Sequence, residues 1–164
     1  SNRMGETKKS ARQAKADVDA KLELAQPSRE LLEELAVACA KDPNPDNTFQ
    51  YAFCLSKSNE RSELRYAVTI LDGLVKEGYE HQVDCMYGSA TALYLLEEYD
   101  QARARCEAIL RTRPESRLAS ELHLASIAAE EQQEHQRVQK LAIGTGAAVA
   151  VGLAAGVASL LLKR

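Results

Sequence analysis

The feature that most constrains this chain is a run of 22 uncharged residues, Leu141 to Leu162, followed only by Lys163 and Arg164. A helix rises about 1.5 Å per residue, so this run is about 33 Å long and can cross a hydrocarbon core of roughly 30 Å. A lone span in lipid must be helical, because its backbone has to satisfy its own hydrogen bonds. The alternative is a buried core helix, but the glycine and β-branched residues of the run are poor helix formers in water. The sequence therefore predicts a transmembrane tail anchor over 141–162 that holds residues 1–140 on the cytosolic side.

The composition of the remaining residues excludes some function classes. The chain has 24 acidic and 21 basic residues, two of the basic ones at its extreme end. Residues 1–140 then carry a net charge of about −5, which argues against a nucleic-acid binder. The four cysteines never occur in C-x-x-C spacing and each lies among apolar residues. This usage predicts free buried thiols in a reducing compartment rather than disulfides.

The chain divides into four segments by composition. They are a polar N-terminal arm at 1–26, a helical domain at 27–130, a polar stalk at 131–140 and the anchor at 141–162. The arm fits either a frayed helix or a mobile segment, and its sequence does not decide between them. Abundant Ala, Leu and Glu and the absence of Trp favour helix over sheet in the domain.

An internal period indicates the architecture of the domain. Ala67 and Ala102 lie 35 residues apart at equivalent points of two helical hairpins, close to the tetratricopeptide period of about 34 residues. Gly78 is placed to end one helix and Pro114 another. We therefore predict an all-α fold with two tetratricopeptide-like hairpins, followed by the C-terminal transmembrane helix.

Stacked hairpins curve, and the first helix of each pair lines the inner side. The predicted trough combines small residues that leave room with aromatic and aliphatic walls, a pattern that suits an amphipathic partner helix. The alternative is that several of these residues pack between the helix pairs. The residues predicted to line the trough are Tyr51, Leu55, Ser58, Asp84, Tyr87, Gly88, Thr91, Ala92 and Leu95.

Two terminal features add hypotheses about regulation and assembly. If residues 1–26 reach into the trough, they compete with a partner and lower its apparent affinity. A stripe of small residues four apart in the anchor allows close helix approach and homo-oligomerisation, although Gly and Ala also simply moderate its hydrophobicity. The anchor residues named by these patterns are Leu141, Gly144, Ala148, Gly152, Gly156, Leu162, Lys163 and Arg164.

No catalytic or metal-binding pattern is present in the sequence. His81, His123 and His135 lie outside any nucleophile motif, and the chain contains no H-E-x-x-H, Walker A or G-x-G-x-x-G sequence. Glu131 and His135 could share a metal, but the polar stalk supplies no further ligands, so a solvated helix face is the better interpretation. We expect a protein that is not an enzyme and that needs no cofactor.

Two motifs resemble those of a known family. The stretch Asn47 to Leu55, NTFQYAFCL, is similar to the first repeat of the mitochondrial fission 1 protein family. The stretch Tyr94 to Ala102, YLLEEYDQA, with Arg113-Pro114 after it, is similar to the second repeat. The resemblance covers about residues 28–164, and Gly88 and Leu95 depart from the residue types usual at their positions.

This resemblance implies a six-helix bundle that contains the two tetratricopeptide-like hairpins. It also implies a receptor or adaptor on the mitochondrial outer membrane, facing the cytosol, and often also on peroxisomes. The implied partners are a dynamin-related GTPase or the linker proteins that connect to it, with Tyr51, Leu55, Ala90 and Ala92 at the matching trough positions. A tail-anchored tetratricopeptide receptor for chaperones or precursor proteins is the alternative. Such a receptor needs a basic cluster to hold carboxylates, and the predicted trough has none.

Overall fold

Seven α-helices make up the part of the chain that the structure, a computed structural model, describes, residues 2–144. In order they are α1 (Asn2–Leu24), α2 (Arg29–Lys41), α3 (Pro45–Leu55), α4 (Arg61–Lys76), α5 (Gln82–Leu95), α6 (Tyr99–Thr112) and α7 (Arg117–Gly144). No strand occurs within these residues, which confirms the all-α class. The chain divides into two compact units, 1–129 and 130–164.

The number of helices differs from the prediction in one place. The six helices expected in the domain correspond to α2 to α7, and the arm adds α1, a seventh helix of 23 residues. The sequence of the arm did not determine its conformation, because the buried face of α1 consists largely of alanine, which is also common on exposed helix faces. The structure places Ala11, Ala14 and Val18 on that face, each no more than 8% exposed.

Local signals explain where the helices of the first unit begin and end. The Ser28 hydroxyl accepts a hydrogen bond from the Leu31 amide at 3.1 Å and so caps α2. Asn44 caps α3 in the same way, with Pro45 at its first position. Gly78 follows α4 at φ 77°, and the Tyr79 amide reaches back to the Leu74 carbonyl, as the sequence predicts for a C-terminal glycine.

Residues at the contacts between successive helices of the repeats are buried. Ala67, Ala90, Ala102 and Ile109 are fully buried in the structure. Cys85 and Cys106 are buried free thiols as expected, whereas Cys39 and Cys54 are half-buried. Small side chains at these contacts let the backbones of successive helices pack at short distance, and they thereby build the surface described below.

The second unit is described from Glu130 to Gly144, the C-terminal part of α7. Every residue from 131 to 140 is exposed there. Among the described residues no helix is both long and apolar enough to cross a membrane. The predicted anchor lies outside the described residues from position 145 onward.

Candidate functional site

The N-terminal helix is seated on the two inner helices α5 and α7. Ala14 and Val18 of α1 belong to one buried cluster with Ala90 and Tyr94 of α5 and with residues of α6 and α7. The contributions from α7 are Leu122, Ala125 and Ala129. We call the surface made by Ala90, Tyr94, Leu122, Ala125 and Ala129 the inner groove.

Alanine dominates both sides of this contact. On α1, Ala11 and Ala14 are 5% and 8% exposed; on the groove, Ala90 and Ala125 are fully buried. Helix axes that meet through alanine approach toward the short end of the usual range of about 8–10 Å. The inner groove therefore accommodates the body of a helix.

One polar contact joins the helix to the floor of the groove. The Tyr94 hydroxyl donates a hydrogen bond to Asp19 Oδ1 at 2.6 Å, and the Tyr94 side chain is 4% exposed. Burial, together with the bond to Asp19, raises the pKa of Tyr94 above the usual range for tyrosine. Tyr94 is therefore a neutral donor at physiological pH, and a carboxylate is the acceptor that it meets.

An exposed ion pair also joins α1 to α7. Lys21 Nζ lies 2.7 Å from Glu121 Oε1 of α7. The lysine is 62% exposed, so solvent screening leaves this pair little weight in stability.

An open cleft of about 450 Å³ lies where α1 ends beside the turn between α3 and α4. Its apolar lining comes from Leu22, Leu64 and Leu95. Its charged lining comes from the acidic Asp19, Glu23 and Glu97 and the basic Lys57 and Arg61. Leu95 and Ser58 are thus two of the predicted trough residues that line a real cleft.

Three other predicted trough residues pack inside the domain instead of leaving room. Leu55 is 1% exposed and Ala92 is fully buried, both in a cluster with Leu32, Leu64 and Leu96. A Cβ on Gly88 would lie 2.8 Å from Leu71 Cδ1 and 3.1 Å from Phe53 Cδ2. These three residues serve contacts between helices of the domain, which is the alternative that the sequence left open for individual residues.

The remaining four are spread over different environments. Thr91 is buried and its hydroxyl donates to the Tyr87 carbonyl at 2.9 Å. Tyr87 packs at the edge of the cluster beneath α1. Tyr51 packs against the cluster that holds Leu55, and the Asp84 side chain is 63% exposed. The structure therefore brings Tyr87 to the edge of the inner groove and does not bring Asp84 there.

Of the predicted anchor residues, Leu141 and Gly144 are described, and both are exposed at the end of α7. The other anchor residues, from Ala148 to Arg164, lie outside the described residues. Their role in a membrane stays a prediction.

The residues around the groove are suited to binding and carry no activated nucleophile. Burial raises the pKa of the Cys106 thiol to about 12, so it stays protonated beneath the groove. His123 contacts Glu107 at 3.2 Å on the outer side of α6 and α7. Among residues 2–144 no three His, Cys, Asp or Glu side chains group as metal ligands.

Sequence reasoning missed Ala14, Val18, Asp19 and Glu121 as parts of this site. The available signal was the spacing of Ala11, Ala14, Val18 and Leu22, which repeats at three to four residues and marks one helix face. Alanine is common on exposed helix faces too, so this stripe was weak without the complementary alanines of α5 and α7.

Comparison with known proteins gives a consistent relationship. No family model matches the chain. The mitochondrial fission 1 protein of Candida glabrata is 28% identical over 128 residues, covering 77% of this chain and 81% of that protein. The protein of the same name from Neurospora crassa is 31% identical over 109 residues, covering 66% and 69%.

Solved structures agree at the level of the fold. The crystal structure of the fission protein Fis1 from Saccharomyces cerevisiae superposes with a TM-score of 0.64 at 22% identity, covering 71% of this chain and 95% of that one. Yeast Fis1 in complex with an Mdv1 fragment containing N-terminal extension and coiled coil domains gives 0.60 at 23% identity, covering 70% and 94%. With its repeats, its motifs and these relatives taken together, the chain belongs to the mitochondrial fission 1 protein family.

Proposed function

We propose that this chain is a non-enzymatic adaptor of mitochondrial fission whose inner groove docks a helical segment of a fission protein. The observation that carries the proposal is that a helix of the chain itself, α1, already lies in that groove, with three residues at most 8% exposed. A surface that seats one helix through complementary small residues can seat another with the same face. The names of the relatives support a role for that docking in mitochondrial fission.

The partner class follows from the related complex. Yeast Fis1 was crystallised with an Mdv1 fragment that contains an N-terminal extension and a coiled coil. We infer that a linker protein of that kind, or a dynamin-related GTPase, is the ligand of this chain. Aliphatic walls, a tyrosine donor and a cleft with charges of both signs suit a protein helix.

The membrane attachment belongs to the same proposal. Residues 141–162 form the tail anchor and residues 131–140 a solvated stalk, with the domain at 27–130 facing the cytosol from the mitochondrial outer membrane and also from peroxisomes. Support comes from the uncharged composition of the tail and from the exposed apolar Leu141 and Ile143 that lead into it. The small-residue stripe from Gly144 to Gly156 makes self-association in the membrane part of the proposal.

Occupation of the groove by α1 gives the adaptor a built-in competitor. A partner that needs the groove empty binds with an apparent affinity reduced by the fraction of molecules in which α1 is displaced. Loss of α1 from its seat then increases partner binding without any new contact.

A direct test compares two single substitutions that put the same charge on opposite faces of α1. Val18→Asp places a carboxylate on the buried face, and Ala16→Asp places one on the exposed face. In the full chain in detergent micelles, we expect Val18→Asp to bind the Mdv1 fragment about tenfold or more tightly than wild type, and Ala16→Asp to bind like wild type. Equal binding by both variants would contradict the claim that the partner binds in the inner groove.

A second pair tests the wall of the cleft. Leu95 lines the cleft at the end of α1, whereas Leu31 lies on the exposed side of α2 at 42% exposure. In the Val18→Asp background, Leu95→Asp should abolish capture of the fragment and Leu31→Asp should not. Leu55 is unsuitable for this purpose, because a charge at a side chain that is 1% exposed would unfold the domain.

The same capture experiment addresses the alternative of a receptor for chaperones or precursor proteins. Lys57 and Arg61 of the cleft are offset by Asp19, Glu23 and Glu97, so a free terminal carboxylate meets no net positive field there. Capture of a chaperone C-terminus, with no capture of the fission fragment, would favour that receptor instead.

A further inference from the structure

The turn between α5 and α6 holds a glutamate in a backbone conformation that usually requires glycine. Glu97 has φ 64°, and among residues 2–144 no other residue with a side chain has a positive φ. In this left-handed region the Cβ of an L-residue lies too close to the following carbonyl oxygen, whereas glycine adopts it without strain. A glutamate at this position therefore makes the fold less stable than a glycine would.

Another turn of the same chain shows that the motif does not need a glutamate. Helix α4 ends with Gly78 at φ 77°, and the next amide donates to the Leu74 carbonyl at 3.0 Å. Helix α5 ends with Glu97, and the next amide donates to the Leu93 carbonyl at 2.9 Å. The two helices thus end in the same hydrogen-bonded motif, in which glycine is the usual left-handed residue. The reason for a glutamate must lie outside the turn itself.

The surroundings of Glu97 supply that reason. Glu97 is exposed and lines the open cleft of about 450 Å³, next to Leu64 and Leu95. Residues in unfavourable backbone conformations occur mainly at functional sites, where the side chain that they present has a role. The cleft is therefore the feature that accounts for a glutamate at this position.

The basic residues of the cleft are directed to other groups. Lys57 Nζ lies 4.7 Å from the centre of the Phe53 ring, and Arg61 Nη2 donates to the Leu96 carbonyl at 3.4 Å. They therefore leave room for a further cation in the cleft.

The acidic residues of the cleft come from two parts of the chain. Asp19 and Glu23 belong to α1, whereas Glu97 belongs to the turn after α5. When α1 leaves its seat, Asp19 and Glu23 leave with it. Glu97 is then the carboxylate of the cleft that an incoming partner meets.

Resting on the proposed function, we propose that Glu97 determines the specificity of the cleft by pairing with a basic side chain of the partner. Leu64 and Leu95 contact the aliphatic stem of an arginine or lysine, and the Glu97 carboxylate accepts hydrogen bonds from its cationic head. The left-handed conformation of Glu97 is then a loss of stability that is retained for binding.

The first test separates the backbone strain from the role of the side chain. Glu97→Gly removes the strain, and Gly78→Glu introduces a glutamate into the same motif outside the lining of the cleft. In the full chain in detergent micelles, Glu97→Gly should raise the urea midpoint above wild type, although glycine adds entropy to the unfolded chain. Gly78→Glu should lower the midpoint. A midpoint of Glu97→Gly at or below that of wild type would contradict the strain.

The second test measures binding of the Mdv1 fragment in the Val18→Asp background. Glu97→Gln, which keeps the side-chain length and removes the charge, should weaken binding about three- to tenfold, and Glu97→Gly should weaken it at least as much. The loss should shrink between about 0.1 M and about 1 M NaCl, because salt screens the pair. Glu77→Gln, at the exposed residue before Gly78, is the control and should bind like the background. Unchanged binding by Glu97→Gln would overturn the proposal.

The third test needs no fission protein. The probes are two short synthetic peptides, Leu-Arg-Leu-Arg and Leu-Glu-Leu-Glu, added to the full-length Val18→Asp chain. The arginine peptide should shift the methyl NMR signals of Leu64 and Leu95 more than the glutamate peptide does, and Glu97→Gln should remove that preference. Equal shifts by the two peptides, or a preference that survives Glu97→Gln, would contradict the assigned role.

These outcomes are separable from those of the proposed function. If the arginine peptide is preferred through Glu97 but the Mdv1 fragment does not bind the chain, the specificity of the cleft stands and its partner is a different protein. If the fragment binds equally with and without the Glu97 charge, the adaptor role stands and the role of Glu97 fails.

Discussion

Gly88 shows how a single residue sets the spacing of the domain. A Cβ at this position would lie 2.8 Å from Leu71 Cδ1 and 3.1 Å from Phe53 Cδ2. Leu71 is fully buried and cannot turn away. The absence of a side chain therefore lets α5 approach α3 and α4, and α5 carries Ala90 and Tyr94 of the inner groove.

Gly73 provides the matched control for this position, because a Cβ there meets nothing within 4 Å. Both glycines are in helix interiors, so alanine brings the same gain in helix propensity of about 1 kcal/mol at each. We expect Gly73→Ala to raise the free energy of unfolding. The free energy of unfolding of Gly88→Ala should lie about 1–3 kcal/mol below that of Gly73→Ala, because the added Cβ overpacks the helix contact. Urea unfolding measures both, and equal stability of the two variants would mean that the helices can separate freely.

The sequence shows a glycine at position 88 but does not show which structural role the missing side chain has. A glycine in an inner helix fits both an open trough and a tight helix contact. Only the placement of Leu71 and Phe53 from two other helices distinguishes them. Leu95, by contrast, was predicted to be part of a trough and lines an open cleft.

At the scale of elements, polar contacts repeat at nearly the period of the hairpins. Arg29 pairs with Glu63 at 2.6 Å, 34 residues along the chain, and Arg65 pairs with Glu98, 33 residues along. Tyr79 donates to Asp46 at 2.7 Å, also 33 residues away. Each contact joins corresponding elements of successive repeats, as expected of a stack in which every repeat touches only its neighbours.

These pairs predict a pH dependence of stability with a definite sign. The hydrogen bond from Arg29 lowers the pKa of Glu63, and that from Arg65 lowers the pKa of Glu98, below the ordinary 4.5. The unfolded chain then binds more protons in acid, so the contribution of the pairs is present above the ordinary pKa and is lost as the pH falls through the folded values.

The test is the double substitution Glu63→Gln with Glu98→Gln. It should lower the urea midpoint at pH 7 by a small amount, since the pairs are partly exposed, and the difference from wild type should shrink as the pH falls toward about 2. Glu34→Gln, on the exposed side of α2, should show no such trend. A difference that grows in acid would reverse the assigned sign.

The elements also show where sequence patterns succeed. The predicted helices of the domain correspond to α2 through α7, because prolines, caps and apolar spacing mark their limits. The conformation of α1 could not be predicted, because its buried face is mostly alanine and its stability depends on packing against α5 and α7. A local pattern cannot report a partner that lies about a hundred residues away, such as Glu121 for Lys21.

At the scale of the whole molecule, we propose an adaptor whose docking surface is covered by its own N-terminal helix. Family membership, the helical stack and the occupied inner groove are the grounds for it. The regulation it implies is graded, because any change that loosens α1 raises the fraction of open grooves. Partner binding then follows that fraction rather than the strength of any single contact.

The central claim is tested most directly by measuring two quantities on the same full-length proteins. Hydrogen exchange gives the open fraction of α1 in wild type, Val18→Asp and Ala16→Asp, and titration gives the apparent Kd of each for the Mdv1 fragment. We expect the apparent Kd to vary inversely with the open fraction across the series. An apparent Kd that stays constant while the open fraction rises would contradict it.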